Sequence, residues 1–162
     1  MIKVGIITAS DKGSQGERED KSAPAIKEMV KQIGAQVVEY VIVPDEQGQI
    51  ENTLKAMSDD LKLDLIFTTG GTGMSPRDVT PEATLNVVDR LVPGIPEAMR
   101  AKSLEITNRA MLSRAAAGIR KQTLIINLPG SPKAVAECLD VVLPALKHGI
   151  EILRGEAGEC AR

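Results

Sequence analysis

The sequence predicts an α/β fold in which a mostly parallel sheet is covered by helices on both faces. Short apolar runs alternate along the chain with segments whose apolar residues recur at helical spacing. Alternation of this kind is typical of a parallel sheet whose crossover connections are helices. A length of 162 residues and a hydrophobic content of 43% suit a single domain with an ordinary core, and no linker, internal repeat or low-complexity tract divides residues 1–162.

The expected elements follow one another in a regular order. Pro24 lies near the first turn of the first helix, and Gly34 ends that helix. The second helix places Ile50, Leu54, Met57 and Leu61 on one face. Strands are expected at 2–8, 36–43, 63–69 and 123–128. Helices are expected at 24–33, 48–61, 81–91, 96–112 and 133–153.

The composition argues against a nucleic-acid-binding domain and against a membrane span. The formal net charge is −2, whereas nucleic-acid-binding domains usually carry a basic excess. One Tyr, one Phe and no Trp leave almost no platform for base stacking. No apolar run approaches the roughly 20 residues that cross a bilayer, and the first residues are typical of a strand rather than of a signal peptide. Cys138 and Cys160 form no CxxC pair, which favours two free thiols and a cytoplasmic location.

A glycine-rich segment, TTGGTGMSPRDVTPEAT at 68–84, carries the strongest functional signal. An apolar strand runs into the glycine loop 70–73, and a helix opens at Thr80 and Pro81. Such a loop leaves backbone N–H groups bare beside a helix N-terminus, which favours an anion such as phosphate. Pro76 occupies the third glycine position of a dinucleotide fingerprint, and no Walker A lysine follows, so a different phosphate loop or a plain tight turn is expected.

Two carboxylates in the same segment suggest a divalent metal beside the phosphate. Asp78 precedes the helix and Glu82 lies in its first turn. Carboxylates next to phosphates commonly hold Mg²⁺. The alternatives are structural, because Glu82 would also favour the helix dipole and Asp78 could form a turn.

Other loops offer weaker candidates for the same site. Loops 9–23 and 129–132 also follow expected strands, so they should lie at the carboxyl ends of the sheet, and Ser131 could cap the last helix. Asp45 lies just past a strand, where a turn role is an equal alternative. Arg109, Ser113, Arg114, Arg120 and Lys121 form a local cluster that could hold phosphates or simply face solvent.

Several segments together resemble the molybdopterin-binding family of molybdenum cofactor biosynthesis. The resemblance is most specific at 68–84 and extends over nearly the whole chain. The supporting segments are TASD at 8–11, EDKS at 19–22, PG at 93–94, LSR at 112–114 and LPGSP at 128–132. Ala23 and Ser131 stand where many family members have Gly and Asn.

The resemblance implies a fold, a reaction and partners. The fold is a three-layer α/β/α sandwich with a mostly parallel central sheet, in one domain spanning 1–162. The reaction is Mg²⁺- and ATP-dependent adenylylation of molybdopterin with release of pyrophosphate, and the product passes to a molybdate insertase. The family is usually trimeric, so a homotrimer is expected. A close single-domain relative with a variable role fits the same motifs.

The resemblance also implies site residues. Asp78 and Asp45 correspond to functional aspartates, and Asp78 and Glu82 to a metal site. The nucleotide and pterin contacts implied are Gly70, Gly71, Thr72, Gly73, Ser75, Ser113, Gly130 and Ser131. A non-catalytic molybdopterin carrier is the main rival interpretation, although a pure anion binder gains nothing from the two aspartates. An unrelated nucleotide hydrolase is the third.

Overall fold

The computed structural model describes residues 1–156, so Cys160 lies outside the described residues. Six strands form one sheet in the order β2-β1-β3-β6-β5-β4. The strands β1, β2, β3 and β6 are parallel, and the remaining two form an antiparallel edge. Their bounds are β1 Ile2–Ala9, β2 Ala35–Val43, β3 Leu65–Thr69, β4 Arg90–Leu91, β5 Ala117–Arg120 and β6 Thr123–Leu128.

The helices occupy the connections between the strands. Short turns of other helical types extend two of them, a 3₁₀ turn at Val30–Ile33 and a π turn at Ala56–Asp60. A further 3₁₀ turn covers Asn108–Leu112. The α-helices are α1 Asp11–Ser14, α2 Ser22–Met29, α3 Gln47–Lys55, α4 Thr80–Val87, α5 Gly94–Leu104 and α6 Pro132–Leu153.

The sheet separates two apolar layers, one on each face. Successive residues of β1 point to opposite faces, so Ile6 enters one cluster and Ile7 enters the other. The first cluster contains residues of α2, α5 and α6, such as Met99 and Leu139, and the second contains residues of α3 and α4, such as Ile50. The predicted three-layer α/β/α sandwich with a mostly parallel sheet is therefore confirmed.

The antiparallel edge of the sheet was not predicted. The helix expected at 81–91 ends at Val87, and β5 lies between the helix expected at 96–112 and the strand expected at 123–128. Strand pairing overrides helical periodicity here, because the Asp89 N–H donates to the Ile119 carbonyl at 2.7 Å. The helix expected at 96–112 is also interrupted after α5, where Thr107 adopts extended backbone and caps the following turn.

A fully buried asparagine joins the centre of the sheet to two other elements. Asn127 on β6 donates through Nδ2 to the hydroxyls of Thr68, at 2.9 Å, and Thr84, at 2.8 Å. Its Oδ1 accepts a hydrogen bond from the Ala116 N–H at 3.1 Å. A single side chain thereby satisfies three polar groups of β3, α4 and the segment before β5.

Replacing Asn127 by leucine is expected to lower the free energy of unfolding by about 3 kcal/mol or more, because several buried polar groups lose their partner. Chemical denaturation measures this change. Asn86→Leu is the matched control, since Asn86 is exposed and makes one side-chain hydrogen bond, to Glu51. Equal denaturation midpoints for the wild type and the Asn127 variant would contradict the prediction.

Candidate functional site

Loops from four neighbouring strands line one cleft. The strands β1, β2, β3 and β6 are parallel, so the loops that follow them emerge at one edge of the sheet. The cleft has a volume of about 520 Å³. Its lining includes Ser10, Asp20, Asp45, Gly70, Gly71, Asp78, Gly130 and Pro132. The expected convergence of loops 9–23 and 129–132 with the glycine loop is observed.

The glycine loop requires glycine at two successive positions. Gly70 has φ of 88°, and a Cβ there would lie 2.5 Å from the carbonyl oxygen of Ala9. Gly71 has φ of 69°, and a Cβ would lie 2.3 Å from the Thr80 hydroxyl oxygen. Left-handed backbone and lack of space both exclude side chains. The loop is held against α4 because the Thr80 N–H donates to the Gly71 carbonyl at 3.2 Å.

Asp45 and Asp78 lie close together beside this loop. Asp78 Oδ2 accepts a hydrogen bond from the Ser75 N–H at 3.0 Å, which fixes the carboxylate at the start of α4. Asp45 and Asp11 exchange two hydrogen bonds of 3.0 Å, each from a backbone N–H to the other's carboxylate. Burial raises the pKa of Asp45, and the negative charges of Asp11 and Asp78 raise it further. The structure thus brings together the two aspartates singled out in the sequence.

An arginine adjacent to Asp78 partly balances this negative charge. Arg77 donates to both carboxylate oxygens of Asp11, at 3.1 and 3.0 Å, and to Glu46 at 2.9 Å. Hydrogen bonds from Arg77 and from the Asp45 backbone hold the pKa of Asp11 below its usual value. The guanidinium joins the segment after the glycine loop to the loops that follow β1 and β2.

Glu82 forms a salt bridge with a second arginine, Arg114. Its Oε1 accepts a short hydrogen bond from Arg114 Nη1, and its Oε2 is buried with no hydrogen-bond partner. Arg114 also donates to the carbonyls of Gly73 and Asp78, each at 2.7 Å. The arginine therefore clamps the glycine loop to α4, and the role of Glu82 as a metal ligand stays a prediction.

The loop after β1 is anchored by a residue that sequence reasoning did not single out. Asp20 accepts hydrogen bonds from the Thr8 hydroxyl at 2.6 Å, from the Tyr40 hydroxyl at 2.5 Å and from the N–H groups of Ser22 and Ala23. Burial opposes ionisation of Asp20, but these hydrogen bonds outweigh it and keep its pKa low. Burial and the Asp20 charge raise the pKa of Tyr40 to about 12. No local pattern reveals this contact, since its partners lie on three elements.

Hydrogen bonds from two sides fix the loop after β6. The Ser22 hydroxyl donates to the Gly130 carbonyl at 2.8 Å, and the Thr69 hydroxyl donates to the Pro129 carbonyl at 2.7 Å. Ser131 caps α6 as expected, since its hydroxyl oxygen accepts a hydrogen bond from the Ala134 N–H at 3.2 Å. The starts of α4 and α6 thus stand beside the same cleft, but only α6 has a side-chain cap: the N-cap position of α4 is Val79, and Thr80 is the first residue of the helix.

The basic cluster expected at 109–121 does not form a single patch. Arg120 and Lys121 bind the carboxylate of Asp59, with the shorter contact at 2.7 Å. They lie at the turn between β5 and β6, away from the cleft. Arg109 and Ser113 instead line a second cavity. Only Arg114 contacts the glycine loop, so the shared phosphate role suggested by proximity in sequence is wrong for Arg120 and Lys121.

The second cavity lies across the glycine loop from the cleft. Its volume is about 290 Å³, and α5, the 3₁₀ turn at Asn108–Leu112 and the first turns of α6 enclose it. Thr72, Gly73 and Pro129 form the side nearest the cleft. Most of the remaining lining is apolar, including Met99, Ala110, Leu112 and Cys138. The cavity is suited to a small ring system that contacts apolar side chains and reaches toward the glycine loop.

Within residues 1–156, no three His, Cys, Asp or Glu side chains are grouped to hold a metal ion. The Asp45–Asp78 pair offers two carboxylates, which suits a metal that completes its coordination with ligand oxygens. In the same part of the chain, no helix is long and apolar enough to cross a membrane.

Comparison with known proteins gives consistent matches over most of the chain. A family model described as "Probable molybdopterin binding domain" matches residues 5–148. The molybdopterin adenylyltransferase of Helicobacter pylori strain J99 is 46% identical over 156 residues, which cover 95% of this chain and 89% of that protein. Gephyrin of Dictyostelium discoideum is 47% identical over 163 residues, covering 94% of this chain but 23% of its own length.

A solved structure is similar at the level of the whole fold. The molybdopterin biosynthesis enzyme MoaB from Thermus thermophilus has a TM-score of 0.92 and 48% sequence identity, and the match covers 98% of this chain and all of that one. The fold is therefore shared with a chain of similar length.

Proposed function

The chain belongs to the molybdopterin-binding domain family of molybdenum cofactor biosynthesis, and on that basis we propose that it is a molybdopterin adenylyltransferase. It transfers the adenylyl group of ATP to the terminal phosphate of molybdopterin and releases pyrophosphate. The observation that carries this proposal is the pair Asp45 and Asp78 beside a glycine loop that only glycine can form.

The two aspartates are suitable ligands for the Mg²⁺ ion of a nucleotide-binding site. Mg²⁺ in such sites commonly takes one or two protein carboxylates and completes its octahedron with phosphates and water. Asp45 and Asp78 supply two carboxylates, and within residues 1–156 no group of three possible metal ligands is found. Two carboxylates match the number of protein ligands that Mg²⁺ takes in a nucleotide site. When bound, the ion would neutralise phosphate charge at the α-phosphorus.

The protein's own residues supply binding and positioning. The backbone of loop 70–73 cradles the phosphates, and Arg18 and Lys21 line the same cleft and balance their charge. The reacting phosphate of molybdopterin approaches from the second cavity, which borders Thr72 and Gly73. Transfer of this kind depends on alignment and charge neutralisation, so no covalent nucleophile is needed.

The pterin ring system occupies the second cavity in this proposal. The cavity is apolar on most sides and opens toward the loop where the phosphates meet. Ser113 lies in the wall of this cavity, which supports its proposed role as a pterin contact, whereas Gly130 borders the cleft. A homotrimer, a cytoplasmic location and handover to a molybdate insertase stay predictions from the family resemblance.

Calorimetry with Mg²⁺-ATP and a pyrophosphate assay test the proposal together. The adenylyltransferase binds Mg²⁺-ATP and releases pyrophosphate only when molybdopterin is present. A molybdopterin carrier would bind the pterin without needing the nucleotide. A nucleotide hydrolase would turn over ATP without any pterin. Either of these last two results would contradict the proposal.

Replacing Arg114 by glutamine is expected to lower adenylylation by about ten-fold, because the glycine loop loses its charge-assisted tie to α4. The side chain is about one-third exposed, so the loss of stability should be small. Arg90→Gln is the control, since Arg90 is exposed and does not line the cleft. Steady-state kinetics and thermal melting distinguish the two effects. Unchanged turnover would show that the clamp is not needed.

A further inference from the structure

The second cavity contains a single acidic group. Its lining is otherwise apolar, neutral or basic, and Glu137 contributes the one carboxylate among the described lining residues. Glu137 lies in the second turn of α6, next to Cys138, whose sulfur lies 3.9 Å from the Ser103 hydroxyl on α5. Glu137 therefore lines the cavity beside a residue of α6 that contacts α5.

Glu137 has no hydrogen-bond or ion-pair partner within residues 1–156, although it is half-buried. Neither arginine of the cavity, Arg100 or Arg109, forms an ion pair with it within residues 1–156, and Arg100 instead donates to the carbonyls of Ser113, at 3.4 Å, and Ala115, at 2.9 Å. A partly desolvated carboxylate next to apolar side chains costs free energy unless donors approach it. Its two oxygens accept best from two N–H groups presented side by side.

A 2-amino-4-oxopyrimidine ring presents such an edge. Its exocyclic amino group and the neighbouring ring N–H are coplanar donors at the spacing of a carboxylate, as in a guanidinium pair. Thr72 and Gly73 of the glycine loop also line this cavity. A pterin held by this edge would therefore extend its substituents toward the glycine loop, where the reacting phosphate has to lie.

We infer that Glu137 is a specificity-determining residue that binds the aminopyrimidinone edge of the pterin. The inference rests on the proposed function, which places a pterin in the second cavity. It adds that Glu137 is the residue that recognises the pterin. It assigns Glu137 to substrate recognition and not to the transfer of the adenylyl group.

A pair of fluorescent ligands tests the assignment on the full-length protein. The ligands are 6-hydroxymethylpterin and 6-hydroxymethyl-lumazine, in which a carbonyl replaces the 2-amino group. The wild type should bind the pterin at least about ten-fold more tightly, since the lumazine carbonyl faces the carboxylate without a donor. In Glu137→Gln, the amide can donate to that carbonyl, so the preference should disappear or reverse.

Asp140→Asn is the control, because Asp140 is exposed on the same helix and does not line the cavity. It removes the same charge and should keep the preference for the pterin. A Glu137→Gln protein that melts like the wild type and still prefers the pterin would overturn the inference while leaving the proposed function intact. A wild type that binds Mg²⁺-ATP but neither ligand would overturn the pterin assignment and the inference with it.

Discussion

Asp78→Asn is expected to lower the rate of adenylylation by about a thousand-fold, while pterin binding changes little. A metal-held phosphate contributes several kcal/mol of transition-state stabilisation, and about 1.4 kcal/mol corresponds to a factor of ten in rate. Asparagine has the shape of aspartate and its carbonyl can still accept the hydrogen bond from the Ser75 N–H. The loop geometry should therefore persist while the charge is lost.

Two measurements separate this effect from damage to the fold. Thermal melting should show the same stability for the variant, and pterin titration should show the same affinity. Asp60→Asn is the matched control, since Asp60 is exposed at the opposite end of the sheet and should keep wild-type turnover. Wild-type turnover in Asp78→Asn would remove Asp78 from the site.

Gly70→Ala is expected to reduce both stability and turnover. The left-handed conformation at φ of 88° costs an alanine about 1–2 kcal/mol, and the Cβ would lie 2.5 Å from the Ala9 carbonyl oxygen, which adds about 1–3 kcal/mol. The contact is with backbone of β1, and β1 is paired with β3 up to Thr8 and Thr69, so neither strand can easily move away. Moving the loop would also displace the N–H groups that are proposed to bind phosphate.

Gly16→Ala separates the two causes. Gly16 has a similar φ of 76°, but no atom lies within 4 Å of the Cβ position. This control should lose only the conformational part of the free energy of unfolding. Chemical denaturation of both variants measures the difference. Equal losses at Gly70 and Gly16 would show that the close approach of the loop to β1 is unimportant.

The parallel part of the fold could be predicted because its signals are local. Each apolar strand and every helical face except that of the longer α6 lies within about ten consecutive residues, and the loop glycines follow β3 directly. The strands β4 and β5 could not be predicted, since two- and four-residue strands carry too short a pattern. They form because Arg90 pairs with Ile119 across the sheet, which is a tertiary effect.

The same distinction holds for the candidate site: residues in local patterns could be predicted, and contacts between separate elements could not. The glycine loop, Asp45 and Asp78 were accessible because turn glycines and carboxylates after strands form recognisable local patterns. The contacts of Arg114 with Glu82 and of Asp20 with Tyr40 were not, since they join residues 32 and 20 positions apart on separate elements. For Arg120 the prediction failed in the opposite way. The sequence grouped it with Arg114, but in the structure Arg120 pairs with Asp59 in another part of the molecule.

The most direct test of the proposed activity is mass spectrometry of a reaction containing the purified protein, molybdopterin and Mg²⁺-ATP. The expected result is adenylyl-molybdopterin together with an equal amount of pyrophosphate. Pterin that stays bound and unmodified in the presence of Mg²⁺-ATP would contradict the adenylyltransferase assignment. It would leave a molybdopterin carrier as the function that the cleft and the second cavity serve.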